Sequence, residues 1–188
     1  MDSPEQIENL FHSKFRDAFS WTEQAEKHIM VSEIIHKELI TLIEKYPDIP
    51  DEITLKATAL FESYLLLCGL AFENLIKGLI ISIKPDFKDM KELSKYKWNS
   101  NSGHGIKEMF DCNFKNLNKM EKDLINRLEE FLIWAGKYET PLTYNKYLKS
   151  KLPINKEMFK STDILVVESL FKRRSEEHTS ELQSRITI

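Results

Sequence analysis

Glu73 and Lys77 are charged residues that stand four positions apart in the most apolar segment of this chain, residues 65–83. A segment that is apolar on every side predicts a helix inside a core, where an unpaired charge is costly. At positions i and i+4 of a helix, the lysine can neutralise the carboxylate. We interpret the pair first as structural. The alternative is a polar pocket in which Lys77 meets an anion and Asn74 adds hydrogen bonds.

His104 lies between Gly103 and Gly105, directly before a segment that predicts a short helix. The flanking glycines allow the backbone to come close to a ligand, and free N–H groups at a helix start attract anions. His104 is therefore a candidate catalytic residue together with Lys77 and Glu73. The structural alternative is that His104 caps the short helix or pairs with Glu73.

Aromatic and basic side chains suggest two further binding surfaces. Trp134 and Tyr138 share a face if their helix persists past Gly136, and they then form either core or a platform for stacking bases. Lys137 stands between them as a candidate anion contact. The lysine-rich loop at 86–103 is interpreted as solvated, with contact to RNA as the alternative.

The chain lacks the usual motifs for a metal or a cofactor. Glu33 and His36 form a single E-x-x-H pair, whereas di-iron bundles need two such pairs and further glutamates. Cys68 and Cys112 are far apart in sequence, which argues against a zinc site. No phosphate-binding glycine loop and no G-x-S-x-G motif occur. We expect neither metal nor cofactor.

The 188 residues include 27 basic and 30 acidic side chains, for a formal net charge of −3. This balance provides no global basic field, so wholesale binding to DNA or to an anionic membrane is not predicted. The charges at the centre of residues 65–83 also argue against a membrane span. Two cysteines make no disulfide framework, and together with an acidic N-terminus they favour a cytoplasmic protein.

The elements that must position these residues are helices, because apolar residues recur at helical spacing and glycine and proline are scarce. We predict an all-α, up-and-down helical bundle of about five or six helices that forms one domain, residues 1–173. Its predicted helices lie from residue 4 to about 45, from 51 to 84, from 105 to 112, from 118 to 136, and from 156 to 173. Residues 86–103 are predicted as a loop.

Residues 174–184 resemble the translation of a common sequencing adapter over 11 consecutive positions. Segments of this kind are set aside before functional reasoning. We therefore interpret residues 174–188 as an artefactual, disordered tail. The position of the true C-terminus after Arg173 is left open.

Three motifs in order resemble the uncharacterised bacterial branch of the HEPN superfamily. They are an E-N-x-x-K-G helix at residues 73–78, a Gly-His helix start at 103–104, and a W-x-G-x-Y-x-x-P ending at 134–141. The similarity covers roughly residues 55–145. It implies a helical bundle that often dimerises. It also implies links to RNA cleavage, nucleotide binding, toxin–antitoxin pairs and phage defence.

The chain departs from this family where its nucleases carry chemistry. Those members use an arginine followed by roughly four to six residues and then a histidine. Arg173 and His178 have that spacing here, but His178 lies in the adapter-like segment that is set aside, and no arginine has such a partner within residues 1–173. Gly105 stands where the family has aspartate, and Lys137 replaces an arginine suited to bidentate anion binding. We therefore expect a homodimeric binding or interaction module of a bacterial defence or toxin–antitoxin system, with RNA, a nucleotide or a partner protein as its ligand. The alternative is a divergent metal-independent ribonuclease that uses His104 with Lys77 and Glu73.

Overall fold

A computed structural model describes residues 3–46, 51–84, 86–97, 104–114, 116–132 and 163–186. Within these ranges every element of regular secondary structure is a helix, and no strand occurs. The helices are α1 (Pro4–Arg16), α2 (Ala18–Lys45), α3 (Asp51–Ile83), α4 (Met90–Lys97), α5 (Ile106–Asn113), α6 (Lys119–Glu130) and α7 (Asp163–Ile186). The prediction of an all-α helical bundle is confirmed, and the described helices slightly exceed the predicted number.

Two features account for the additional helices. The N-terminal element is divided at Asp17, whose extended backbone ends α1 and whose carboxylate accepts a hydrogen bond from Phe19 N at 3.0 Å. Such a cap starts a new helix. Inside the predicted loop, Asp89 Oδ1 accepts from Glu92 N at 2.9 Å, and fully buried Leu93 holds α4 against the core. The sequence of α4 shows only a local cap and one buried apolar residue, and this is too few apolar positions to reveal a helical period.

The central element is α3, which α2 accompanies along much of its length while α5, α6 and α7 contact it from other sides. Fully buried Phe72 packs against the rings of Phe110 and Phe171, with ring centroids 5.6 Å and 5.8 Å apart. The aromatic contacts therefore join α3 to α5 and α7. A smaller apolar cluster of Leu39, Leu42 and Ala57 closes the other end of α2 and α3.

The C-terminal helix does not end at Arg173. It continues to Ile186, whereas the sequence predicted a disordered tail from residue 174. Residues 174–186 contain neither glycine nor proline, so nothing local stops the helix. Arg174 is buried over the Phe114 ring and also bonds to Glu177. The adapter-like origin of the segment stays a prediction, and the predicted start at residue 156 lies outside the described residues.

One helix of the described chain is long and apolar enough to cross a membrane, from Ile53 to Ile83. Of its most apolar window, 67% is buried inside the protein. Burial of that extent is typical of the core helix of a soluble bundle. The finding agrees with the absence of a membrane span predicted from the central charges.

Candidate functional site

The core of the candidate site is a buried ion pair on α3. Lys77 Nζ donates a hydrogen bond to Glu73 Oε1, and each side chain is only 5% exposed. The two side chains are one helical turn apart and pair with each other, as their spacing predicted. Buried charges persist in a core only when they are paired and hydrogen-bonded.

His104 joins this pair from a different part of the chain. Its Nδ1 lies 2.8 Å from Glu73 Oε2, and its side chain is 35% exposed. An ionised carboxylate can only accept, so Nδ1 carries the proton and donates. Gly105 occupies the N-cap position of α5 and offers no side-chain cap, while Glu129 accepts a hydrogen bond from Lys107 N in the first turn. Of the two structural interpretations of His104, the geometry therefore matches the pairing with Glu73.

The environment holds the Glu73 carboxyl group in its charged form. Burial is the largest influence and favours the neutral acid, but the hydrogen bond from His104 and the charge of Lys77 together outweigh it. The pKa of Glu73 consequently lies below its usual value of 4.5. The carboxylate thus bridges a buried cation and a half-exposed imidazole.

Helix α2 contributes residues that the sequence did not single out. Lys77 Nζ lies 5.7 Å from the centre of the Trp21 ring, and Trp21 Nε1 donates to the Phe15 carbonyl at 2.8 Å. Burial lowers the pKa of His28, and the negative charge of Glu73 opposes that effect. Trp21 and His28 are seven positions apart and so share one face of α2. Their spacing of seven positions was the only feature of the sequence that could have placed both residues at one site.

Of the remaining predicted site residues, the structure describes only Asn74. Asn74 is half-buried on α3 beside Glu73. Trp134, Lys137 and Tyr138 lie outside the described residues, as does Gly103. Among the residues that the structure does describe, no group of three potential metal ligands occurs.

The arrangement permits little chemistry except at His104. Three cavities lined by described residues do not have Glu73, Lys77 or His104 in their walls. The lysine and the carboxylate neutralise each other away from solvent, so neither is accessible to a substrate. His104 is oriented through its Nδ1 contact with Glu73, and its partly exposed imidazole is the group of this cluster with the chemistry for proton transfer.

Comparison with known proteins does not identify a family for this chain. The chain matches no family model, no curated protein and no solved structure. The similarity to the HEPN superfamily therefore stays a prediction that rests on the three ordered motifs.

Proposed function

We propose that the protein is a HEPN-like helical interaction module that associates with a second copy of itself through α1. The observation that carries this proposal is the apolar face of α1. Ile7, Leu10 and Phe11 lie at helical spacing and are all more than half exposed. Large apolar side chains gathered on one exposed face are typical of an interaction site.

The charges of α1 support a second copy as the occupant of this face. Its N-terminal half carries exposed Glu5 and Glu8, and its last turn carries exposed Lys14 and Arg16. Two copies of α1 packed antiparallel about a two-fold axis would place acidic ends opposite basic ends. Parallel packing would set like charges against each other, so the antiparallel dimer is favoured.

The buried ion pair supports a binding role over catalysis. Glu73 and Lys77 are engaged with each other and only His104 is partly open, so the cluster serves first to hold α3 and the start of α5 together. We propose a cytoplasmic module of a bacterial defence or toxin–antitoxin system, in which a partner protein, RNA or a nucleotide completes the function. The genes adjacent to this one would test that setting.

Sedimentation velocity of the full chain tests the self-association. We expect a dimer at micromolar concentration, and we expect Leu10→Glu to yield a folded monomer because it places a charge in the apolar interface. Leu55→Glu is the matched control, since Leu55 is exposed on α3 and its substitution should leave the dimer intact. A parent chain that is monomeric throughout would contradict the proposal.

A divergent ribonuclease is the second candidate, and the orientation of His104 by Glu73 supports it. A carboxylate fixes Nδ1 of an imidazole that is 35% exposed, and a general base must be oriented and accessible in this way. Lys77 is too buried to contact a phosphate directly, so it would act by holding Glu73. His104 is thus the residue that would touch substrate.

Incubation of the full chain with a mixed pool of labelled RNA separates the two candidates. The ribonuclease requires cleavage that disappears in folded His104→Ala and weakens in Lys77→Ala. His12→Ala is the control, because His12 lies on α1 and pairs with Glu8. Absence of cleavage by a folded parent would leave the interaction module as the function.

A further inference from the structure

A cavity of about 260 Å³ lies between α5 and α6. The apolar part of its lining consists of buried Phe110, buried Ile125 and half-buried Leu117. Four polar side chains complete the lining, Lys107 and Asp111 from α5 and Lys122 and Asn126 from α6. A cavity of roughly 150 Å³ already accommodates a benzene ring. This cavity therefore has room for a somewhat larger small molecule.

The four polar side chains of this cavity are accessible and unengaged. All of them are exposed. Within the part of the chain that the structure describes, none of the four makes a side-chain hydrogen bond or an ion pair. Lys107 and Asp111 are one helical turn apart, but a lysine that precedes its acidic partner is the less favourable order for pairing. Unengaged polar groups beside an apolar surface are typical of a ligand site.

One hydrogen bond fixes the relative direction of the two helices that form the walls. Glu129 of α6 accepts from Lys107 N at 2.8 Å, so the start of α5 lies beside the end of α6. The two helices are consequently antiparallel, which sets Lys107 and Lys122 toward opposite ends of the cavity and Asp111 between them. Glu129 does not line the cavity, and its bond uses the backbone amide of Lys107. The ammonium group of Lys107 is left for a ligand.

The charges around the cavity specify the charges of its ligand. The lining carries two ammonium groups and one carboxylate, so it is positive by one charge. A plain dicarboxylate would be repelled by Asp111, and an amine alone would leave both lysines unpaired. A ligand with two carboxylates and one ammonium group offers every charged side chain of the lining an opposite charge. The Asn126 amide can donate to or accept from either kind of group.

We infer that this cavity binds an acidic α-amino acid, with its ammonium group at Asp111 and its two carboxylates at Lys107 and Lys122. In such a molecule the ammonium group lies between the α-carboxylate and the side-chain carboxylate. The order of charges in the ligand therefore complements the order along the cavity. The methylene groups of the ligand contact the apolar part of the lining. This site requires neither self-association through α1 nor chemistry at His104.

Titration of the isotopically labelled full chain, followed by amide NMR shifts, tests the inference with L-glutamate and two analogues of nearly the same shape. Glutarate lacks the ammonium group, and L-glutamine has a neutral amide in place of the side-chain carboxylate. We expect glutamate to shift amides of α5 and α6. It should bind about tenfold more tightly than either analogue, because each analogue loses one charge-assisted hydrogen bond. All titrations use the same ionic strength, since salt screens exposed charges.

Three variants assign the binding to this cavity. Asp111→Asn should weaken glutamate about tenfold and remove its advantage over glutarate. Lys107→Met and Lys122→Met keep the apolar stem of the side chain and should each weaken glutamate by a similar factor. In the variant whose lysine contacts the side-chain carboxylate, glutamate and glutamine should bind equally. Lys119→Met is the matched control, because it removes the same charge from an exposed position of α6 that does not line the cavity.

Three results would overturn the inference. The first is a parent chain in which millimolar glutamate shifts no amides of α5 or α6, which would leave the cavity a solvated gap. The second is equal binding of glutamate and glutarate by the parent chain. The third is a preference for glutamate over glutarate that persists in Asp111→Asn. Circular dichroism checks the fold of each variant, and the comparison of the ligands in the parent chain decides even if a variant does not fold.

Discussion

At the scale of single residues, Glu73 is the group whose charge organises the cluster. It accepts hydrogen bonds from Lys77 on its own helix and from His104 across the bundle. A carboxylate that loses one such partner keeps its desolvation cost without full compensation. The two predictions at this scale follow from that asymmetry.

Removing the lysine charge alone should destabilise the protein. We expect Lys77→Met to lower the free energy of unfolding by about 3 kcal/mol, because Glu73 remains buried with His104 as its main partner. The double variant Glu73→Leu/Lys77→Met should recover most of the loss, since no uncompensated charge is left. Urea unfolding measures both. A loss below about 1 kcal/mol in Lys77→Met would show that the pair is solvated.

The lowered pKa of Glu73 predicts a pH dependence with a definite sign. Its contribution to stability is present above the ordinary value of 4.5 and is lost as pH falls through the lower folded-state value. Between about pH 5 and pH 3, the parent should lose stability more steeply than Glu73→Gln. Urea unfolding across this range measures the difference. Exposed Glu26, as Glu26→Gln, should keep the slope of the parent, and equal slopes in all three proteins would contradict the assignment.

At the scale of elements, the close approach of α3 to the segment after α6 depends on a glycine. A Cβ atom added at Gly69 would lie 2.8 Å from Leu132 Cγ, which is fully buried. Contacts of that length do not occur between relaxed side chains. Gly69 therefore sets how closely these two elements can pack.

Gly69→Ala should lower stability by about 1 kcal/mol, because overpacking of about 1–3 kcal/mol exceeds the gain in helix propensity. Leu132→Ala removes the clashing atoms. Its cost should accordingly be smaller in the Gly69→Ala background than in the parent. A double-mutant cycle by urea unfolding gives this coupling energy. Strict additivity of the two changes would mean that the helices separate instead of clashing.

At the scale of the whole molecule, α7 is joined to the bundle by three arginines. Arg127 of α6 bonds to Asp163, Arg173 bonds to Glu121, and Arg174 lies over Phe114 with its guanidinium carbon 4.1 Å from the ring centre. These contacts fasten both the start and the middle of α7.

Arg174→Ala should cost about 1–2 kcal/mol, because it removes the cation–π contact and the packing of a buried side-chain stem. Glu176→Ala, at an exposed position of the same helix, should change stability by less than about 0.5 kcal/mol. Thermal and urea unfolding of the full chain provide the comparison. Equal stability of Arg174→Ala and the parent would show that the helix detaches at residue 173.

The sequence by itself determined the features that depend on neighbours within about one turn. Helical periodicity predicted an all-α bundle around residues 65–83, and the spacing of Glu73 and Lys77 predicted their pairing. Asn118 was a visible cap, and its side chain does accept from Glu121 N at 3.0 Å. Such contacts are local, so residue types and spacing suffice to find them.

Only the tertiary structure decided which distant residues meet. His104 reaches Glu73 across 31 positions, and Trp21 approaches Lys77 from another helix. The cavity between α5 and α6 exists because the two helices leave space between them. Spacing along the chain cannot reveal these contacts, because helix packing angles and loop paths set them and many sequences with the same periodicity pack differently.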